Sequence, residues 1–525
     1  LDYENIENAH PLKMLAVMMM MASRSSNALQ LATRLLAPGS ARRGQAIGMR
    51  AETRSSASSC RGSVKGQPAR VAVLGGGLAG LATAVNLLAE ANPPINALHI
   101  YDEASPGEGG ASAVAAGLLH PFSRQAREIW EGIAGYDAAV SLLQRVEKQA
   151  GPCSRRSGML RLALSGERAS DFHSVAEEEQ KHDALARHWL TQNQSGHHAG
   201  VQVGGVGSLH TPSALSIDVP AYLRGMWRLC NEIAKDRGTL LEWRPKEITS
   251  LAKLCSDCEY DAIIVALGAK ANMINGFEGF PLKACRGQNL IFSNKAGLEM
   301  PLISGKYVVP MDGEDGGKLL AGATFEYEQS SIHYPANVEY AKATLEEPLR
   351  ELYPEIMQEN LLGATAGVRA RPPRSHFGYV PLAGNLGKVT NESKIQCWFL
   401  GGFGSRGLIH HALLGRAMAL AVLHGDESLL PEHTRRMQSA LDSVAFSTSR
   451  QGRKLQDDSR DATVDADRKA PRRVARTADP RMIDSLEGKL FRYRLNPSSL
   501  QAFESPSEHS HTRFCLYIGG LTDGL

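Results

Sequence analysis

An apolar segment, Val71-Ala72-Val73-Leu74, runs directly into Gly75-Gly76-Gly77-Leu78-Ala79-Gly80 and then into the alanine-rich stretch Leu81-Ala82-Thr83-Ala84. That order reads as a strand, a Gly-x-Gly-x-x-Gly turn and a helix. Gly75 serves the tight turn, Gly77 lets the main chain approach a pyrophosphate, and Gly80 lets the helix pack closely on the strand. Free N–H groups and the macrodipole at the helix start, around Leu78 and Ala79, favour an anion there. A second strand is expected at Ala97-Leu98-His99-Ile100-Tyr101, ending in Asp102-Glu103. Asp102 falls about 20 residues past Gly80, where the fingerprint places the acid that binds a ribose hydroxyl. No arginine replaces it, which argues against a 2′-phosphate.

The chain has 525 residues, 43% hydrophobic and 22% charged, enough for two or more sizeable cores. A net charge of only +3 gives no global reason to expect a polyanionic partner. The charge is uneven. From Met14 to Arg70 nine arginines or lysines face one acid, Glu52, among frequent Ser and Ala. Arg-rich, Ser-rich and acid-poor composition is that of an organelle transit peptide, so residues 1–68 are expected to be a leader, with chloroplast favoured over mitochondrion. The apolar run from Met14 to Ala22 is too short to span a bilayer, which needs about 20 residues, and no transmembrane segment is expected. Residues 446–525 lack apolar periodicity and are expected to be a disordered tail. The eight cysteines are scattered, and the single C-x-x-C, Cys255 to Cys258, has no partner pair for zinc; it reads as two ordinary thiols in a turn before a strand.

Between these ends the pattern alternates. Helical spacing is expected over Tyr136–Gln149, Ser170–Gln192 and Val219–Arg237, with strand-like pieces at Gly200–His210 and Thr239–Trp243. Tyr260 to Gly268 is a continuous apolar run closed by glycine, suited to a strand covered on both faces. Gly287–Phe292, Tyr307–Pro310 and Lys318–Glu326, joined by short turns such as 312–316, suggest antiparallel strands, followed by a helix over Asn337–Leu352. Cys397 to Leu408 again passes from an apolar strand through glycines into a helix.

Beyond the first fingerprint, three further segments carry a resemblance. Gly110-Ala111-Ser112-Ala113-Val114-Ala115-Ala116-Gly117-Leu118-Leu119 is a small-residue loop, Ala266-Leu267-Gly268 ends an apolar strand, and Gly367-Val368-Arg369-Ala370-Arg371-Pro372-Pro373-Arg374 precedes Gly401–Leu408. In this order they resemble the FAD-dependent oxidoreductases of the D-amino-acid oxidase and glycine oxidase class, over most of residues 69 to 430. That class includes the oxidase domain of a tRNA wobble-uridine modifying enzyme. The resemblance implies an α/β fold in which an FAD-binding Rossmann-like domain of glutathione-reductase type is interleaved with a mainly antiparallel α+β substrate domain. The FAD-binding pieces are expected near 69–128, 205–280 and 366–430, and the substrate pieces near 129–204 and 281–365.

The cofactor-facing positions implied are Gly75, Gly77, Leu78, Ala79, Gly80, Asp102, Glu103, Ala111, Ser112, Gly117, Leu118, Ile248 and Gly268, with the amides of Gly404, Ser405, Arg406, Gly407 and Leu408 at the flavin O2 edge. Donors there stabilise charge that builds on the ring. The activity implied is oxidation of the C–N bond of an amino acid or amine, with hydride passing to flavin N5 and oxygen or another acceptor taking the electrons. Arg369 is the first candidate to hold a substrate carboxylate through its planar fork, and Arg371 the second, against a solvated basic loop for Arg371 and Arg374. Arg406, His120 and Tyr307 complete the candidates, with core packing the competing role for Tyr307. No metal is expected, since His197-His198 and His410-His411 lack companion ligands. A carboxymethylaminomethyl-uridine of tRNA is the alternative substrate, less favoured because no acid stands near His376-Phe377-Gly378. A flavin-binding protein without turnover is the third reading.

Overall fold

The computed structural model describes residues 67–435 apart from 180–184, 258, 276, 278–279, 313–316, 328–333 and 389–393. The expected leader as far as residue 66, the tail from 446, Cys258 and the turn at 312–316, apart from Asp312 itself, lie outside the described residues.

A six-stranded sheet forms the first half, in the order Leu382–Lys388, Gln396–Gly401, Ala262–Val265, Arg70–Leu74, Ala97–Tyr101, Leu240–Arg244. Its five inner and right-hand strands are parallel, and Leu382–Lys388 adds an antiparallel edge. The central strands read as unbroken apolar runs because both faces are covered. Val71 and Val73 pack among the helices Leu78–Glu90, Gly132–Ala150, Val219–Arg237 and Gly407–His424, while Ala72 and Leu74 pack on the opposite side with Leu251, Ile274 and Phe280. The helix Val219–Arg237 starts where Asp218 accepts from the Ala221 amide at 2.9 Å and stops at Gly238, a left-handed cap.

The second half is an eight-stranded sheet in the order Leu361–Arg371, Lys283–Ser293, Lys318–Gly322, Lys306–Met311, Leu302–Ser304, Met159–Ala163, Gly207–Thr211, His188–Thr191. All its pairs are antiparallel except Leu302–Ser304 with Met159–Ala163. One face is buried by the helix Val338–Leu352, whose Ala341, Leu345, Leu349 and Leu352 meet Leu160, Leu162, Leu290, Val308 and Ala321. Side chains alternate along strands, so the intervening residues lie on the other face, where Gly367 meets the loop at Ala111 and Val114 and, at the far end, Ala163 and Leu209 pack with Phe172 and Ala176 of the helix Gly166–Glu179. A small sheet of Leu118–Leu119, Leu215–Ile217 and Ser154–Arg155 joins the halves.

Several expectations need correction. The helix expected over Ser170–Gln192 runs from Gly166 to Glu179, and His188–Thr191 is an edge strand paired with Gly207–Thr211. Trp189 and Leu190 suit a strand, and a neighbouring strand was available to pair with them. Thr191 then opens a further helix, Gln192–Ala199, through a capping box with Gln194. Cys255 is not in a turn but in the helix Leu251–Asp257. The helix Gly132–Ala150 packs in the core of the six-stranded sheet, and Gly207–Thr211 belongs to the eight-stranded one, so the chain changes halves near residues 151–153 and 212–218 rather than at 129 and 205. Among the described residues the helix Gly407–His424 is long and apolar enough to cross a membrane, but 67% of it is buried within the protein, as befits a core helix.

That helix carries two buried histidines. His411 Nδ1 donates to the Leu408 carbonyl at 3.0 Å and Nε2 accepts from the Tyr222 hydroxyl at 2.9 Å, the pattern of a neutral ring. His410 lies against Trp130, and neither ring nitrogen has a hydrogen-bond partner. Burial pushes their pKa values down to about 3 for His410 and about 4 for His411. The unfolded chain binds these two protons below about pH 6.5, whereas the folded chain refuses them until pH 4 and 3. Stability therefore rises with pH across this window and falls on acidification, by up to about 1.4 kcal/mol per pH unit for each histidine. Chemical denaturation at pH 7, 6 and 5 is expected to show loss beginning near pH 6.5, and His411→Gln is expected to flatten it; an unchanged slope in that variant would refute the assignment.

Candidate active site

The glycine turn is tied to the second strand before any ligand is considered. Gly75 N donates to the Tyr101 carbonyl at 2.8 Å, and Asp102 accepts from Gly76 N at 2.7 Å through Oδ2 and from Ala104 N at 3.0 Å through Oδ1. Gly80 cannot be another residue, since a Cβ there would lie 1.8 Å from the Gly75 carbonyl oxygen. The helix Leu78–Glu90 thus starts hard against the turn, with its first N–H groups lacking intrahelical partners. Ser112 of the small-residue loop accepts from Leu78 N at 3.3 Å, which brings Ala111 and Ser112 to the same place. Glu103 is exposed and pairs with Lys270 at 2.5 Å. Gly117 sits against the Ile217 carbonyl and Leu118 pairs with Ser216, fixing the far end of the loop.

A second helix start converges on the first. A Cβ at Gly407 would lie 3.1 Å from Leu78 Cδ1, so the two helix N-termini adjoin. Of the five amides expected at the flavin edge, Gly404 N is donated to the Ala370 carbonyl at 2.9 Å and Arg406 N to the Phe403 carbonyl at 2.9 Å. Those bonds shape the turn, which leaves the amides of Ser405, Gly407 and Leu408 as the expected donors. Ile248 has its side chain in the core beneath the sheet, so it can present only main chain from the irregular stretch 245–250. Gly268 begins a 3-10 turn directly after the strand Ala262–Val265. Anion-favouring helix starts, a ribose-type acid and a side-chain-free wall form a cradle suited to FAD.

The eight-stranded sheet supplies the opposite wall. Gly367 faces the small-residue loop, where a Cβ would lie 2.4 Å from Val114 Cγ2 and 3.1 Å from Ala111 Cα. Arg369, two residues on, shares that face. Its Nη2 donates to the Thr324 carbonyl at 3.3 Å, and its guanidinium lies 4.8 Å from the Phe325 ring centre. Lys306 lies 5.1 Å from the same ring and donates to the Ala323 carbonyl at 2.7 Å. The Tyr307 hydroxyl donates to Asn289 Oδ1 at 2.7 Å, and Asn289 Nδ2 donates to the Val114 carbonyl at 2.9 Å, a polar chain from the substrate wall to the loop. Burial is the main cause that pushes the Tyr307 pKa up to about 12, so its hydroxyl stays protonated. Tyr307 is therefore a polar wall residue, not core filler.

Arg371 is set apart from Arg369. It donates to the Tyr327 hydroxyl at 2.7 Å and lies 4.4 Å from the Tyr379 ring centre, held by two tyrosines. Arg374 is exposed. His120 Nδ1 accepts from Phe122 N at 3.2 Å, which leaves Nε2–H as a donor. Burial first, then Arg161, Arg187 and Arg406, push its pKa down to about 3, so the ring is neutral at physiological pH. Burial also lowers the Arg406 pKa. Sequence reasoning missed Asn289, Lys306, Phe325 and Arg161. The signal for Arg161 was a single charge inside the apolar strand Met159–Ala163; the others carried none.

Phe325 and Tyr327, which flank the two arginines, are held by the residue between them. Glu326 pairs with buried Arg286 at 2.5 Å and accepts from Thr324 Oγ1 at 2.6 Å and Gln288 Nε2 at 2.9 Å. Burial alone would raise its pKa, but these three partners hold its carboxyl below the usual range. Glu326→Gln would leave Arg286 buried without its counter-charge, at a cost of about 3 kcal/mol. Urea denaturation is expected to record that loss, together with weaker substrate binding; a variant within 1 kcal/mol of the parent, on the scale of an exposed pair, would refute the role.

No curated protein sequence matches the chain. Solved structures with the same fold include glycine oxidase from Geobacillus kaustophilus, at 18% identity over 70% of this chain and 98% of that one, TM-score 0.54. Iminodiacetate oxidase from Chelativorans sp. BNC1 gives 18% identity, the same coverages and 0.54, and L-proline dehydrogenase from P. horikoshii 17%, 71% and 99%, and 0.55. The family model described as FAD dependent oxidoreductase, DAO, matches residues 70–421. With the dinucleotide cradle and the two interleaved sheets on which that match falls, the chain belongs to the DAO family of FAD-dependent oxidoreductases.

Proposed function

We propose that this enzyme oxidises the C–N bond of a small amino acid or amine that bears a carboxylate. The observation that carries the reading is the placement of Arg369 and Tyr307 on the sheet face opposite the Ala111–Val114 loop, with the Asn289 bridge between the walls. When bound in the cradle, FAD would supply the hydride acceptor. Arg369 offers a planar fork for the carboxylate, although one N–H is directed to the Thr324 carbonyl, and the Tyr307 oxygen, whose O–H is given to Asn289, can accept from a substrate N–H. The amides of Ser405, Gly407 and Leu408 and the adjoining Arg406 supply positive potential at the ring edge. His120, neutral with Nε2–H outward, can donate but not abstract a proton, so the substrate amine must arrive in its neutral form. The printed names of two structural neighbours, glycine oxidase and iminodiacetate oxidase, fit a carboxylated amine.

Anaerobic addition of glycine, sarcosine and several D-amino acids to the purified full chain is expected to bleach the oxidised-flavin spectrum with at least one of them. Arg369→Met is expected to raise KM at least about 10-fold, the loss of one charged hydrogen bond, with a smaller change in kcat. His120→Gln is expected to leave the pH limb of kcat/KM unmoved, since that limb belongs to the substrate amine; a displaced limb would contradict its neutral role. A flavin that no amine reduces, but that carboxymethylaminomethyl-uridine in tRNA does, would replace this reading with the wobble-uridine one.

We further propose that residues 1–68 direct the protein to an organelle, the chloroplast first, on the nine-to-one excess of basic over acidic residues between Met14 and Arg70. A fluorescent reporter fused behind residues 1–68 is expected to enter chloroplasts; import into mitochondria alone would move the assignment.

A further inference from the structure

The row of residues that reaches across the eight-stranded sheet continues past Tyr307. Register places Asn289 opposite Gly322, Gly322 opposite Tyr307, Tyr307 opposite Ile303, and Ile303 beside Arg161. Residues in register share a face, so Arg161 lies on the same wall as Tyr307 and Asn289, away from its neighbours Leu160 and Leu162, which face the helix Val338–Leu352. One strand separates Arg161 from Tyr307, which puts the two main chains about 10 Å apart.

Arg161 is 3% exposed, and its Nη2 has no hydrogen-bond partner. A buried guanidinium nitrogen without a partner is costly, and structures rarely keep one without a use. It lines a narrow cleft with Arg124, Arg168, Phe172, Ser304 and Gly305. Arg124 Nη2 would lie 3.3 Å from a Cβ at Gly305, so the glycine leaves room for it at the cleft mouth. Arg168 is paired with Asp171 at 3.2 Å, on the exposed side. The charged groups that act on Arg161 are Arg124 and Arg168, those that act on Lys306 are Arg369 and Arg124, and those that act on His120 are Arg161, Arg187 and Arg406. Cations thus follow one another from Arg369 through Lys306 and Arg124 to Arg161 and on to Arg406, and among the described residues neither Arg161 nor Lys306 has an ion-pair partner, Asp171 being taken up by Arg168. Such a run of like charge is unfavourable unless an anion enters it.

We infer that the substrate carries a second carboxylate, remote from the oxidised C–N bond, which pairs with Arg161 and Arg124 in this cleft. The inference rests on the amine-oxidation reading for the word substrate and on the cleft alone for the anion. The Tyr307 and Arg161 main chains stand two strand spacings apart, on the order of 10 Å, so a first carboxylate held by Arg369, beyond Tyr307, lies at least about that far from the second. The cleft has room for about two water molecules, which is about the space that a carboxylate end takes up. A nucleic-acid backbone cannot bring its phosphate to a side chain so buried, which is why a small acid is preferred.

The test is titration of the FAD-loaded full chain with paired non-oxidisable probes, suberate against octanoate and sebacate against decanoate, read from the flavin absorption band. A dicarboxylate is expected to bind at least 10-fold more tightly than its monocarboxylate partner. Arg161→Met is expected to bring that ratio close to one while leaving octanoate and decanoate binding within about 2-fold. Arg124→Gln, on an exposed loop, is expected to lower the ratio as well and serves if the first variant does not fold. Equal affinities in the parent, or a ratio that survives Arg161→Met, would overturn the proposal, as would displacement of the absorption change by unfractionated tRNA and not by either dicarboxylate. Bleaching is scored separately. An enzyme that glycine bleaches but that shows no dicarboxylate preference keeps the amine reading and loses the second anion site. One that no amine bleaches, yet whose preference depends on Arg161, keeps the anion site and loses the amine reading.

Discussion

The contact between Gly80 and the Gly75 carbonyl sets the geometry on which the site depends. With a Cβ at Gly80 only 1.8 Å from that oxygen, nothing larger than glycine lets the helix Leu78–Glu90 lie so close to the turn. The close approach repeats one layer out, where Gly415 of the helix Gly407–His424 packs against Ala82 and Thr83. Two helices in close contact through small residues bring both of their N-termini to one point, and Gly407 meets Leu78 there. Two helix starts and two dipole ends then converge on one cradle, which favours a ligand that is anionic at its pyrophosphate and electron-rich at its ring. The loop from Ala111 to Leu118 is drawn in by Ser112 and closes the cradle.

The second sheet is organised by polar bonds that a soluble core would not need. The Tyr307–Asn289–Val114 chain links the substrate wall to the flavin loop, so displacement of one wall is felt by the other. The buried Arg286–Glu326 pair holds Phe325 and Tyr327 at the mouth, and those rings lie against Lys306, Arg369 and Arg371. A buried ion pair is a weak source of net stability, but breaking it is expensive, which suits a part that must keep one geometry. Cations held against aromatic faces retain their charge and are partly organised before a substrate arrives.

Sequence and structure agree where local patterning carries the information. The strand-turn-helix at Val71–Ala84, the capped helix Val219–Arg237 and the apolar strand closed by Gly268 are set by periodicity, caps and glycines within a dozen residues. They differ where pairing with a distant strand decides. His188–Thr191 became an edge strand because Gly207–Thr211 lay alongside, and the helix Gly132–Ala150 joined the first core because its apolar stripe fitted Val219–Arg237 and Gly407–His424. The candidate site divides in the same way. Arg369 and Tyr307 could be named in advance, but that Tyr307 bonds to Asn289, or that Arg371 is taken up by Tyr327, depends on neighbours 18 and 44 positions away.

The sequence by itself determined the dinucleotide cradle, because its requirements are local: where glycine must stand, where the acid falls, and which way a helix starts. Only the tertiary structure decided that Gly404 and Arg406 give their amides to the Ala370 and Phe403 carbonyls in shaping the turn. Only it decided that Arg161, a lone charge in an apolar strand, stands in register with Tyr307 on one face of the second sheet. A charge's neighbours within 10 Å are set by strand order, and strand order in this sheet is not the order of the chain.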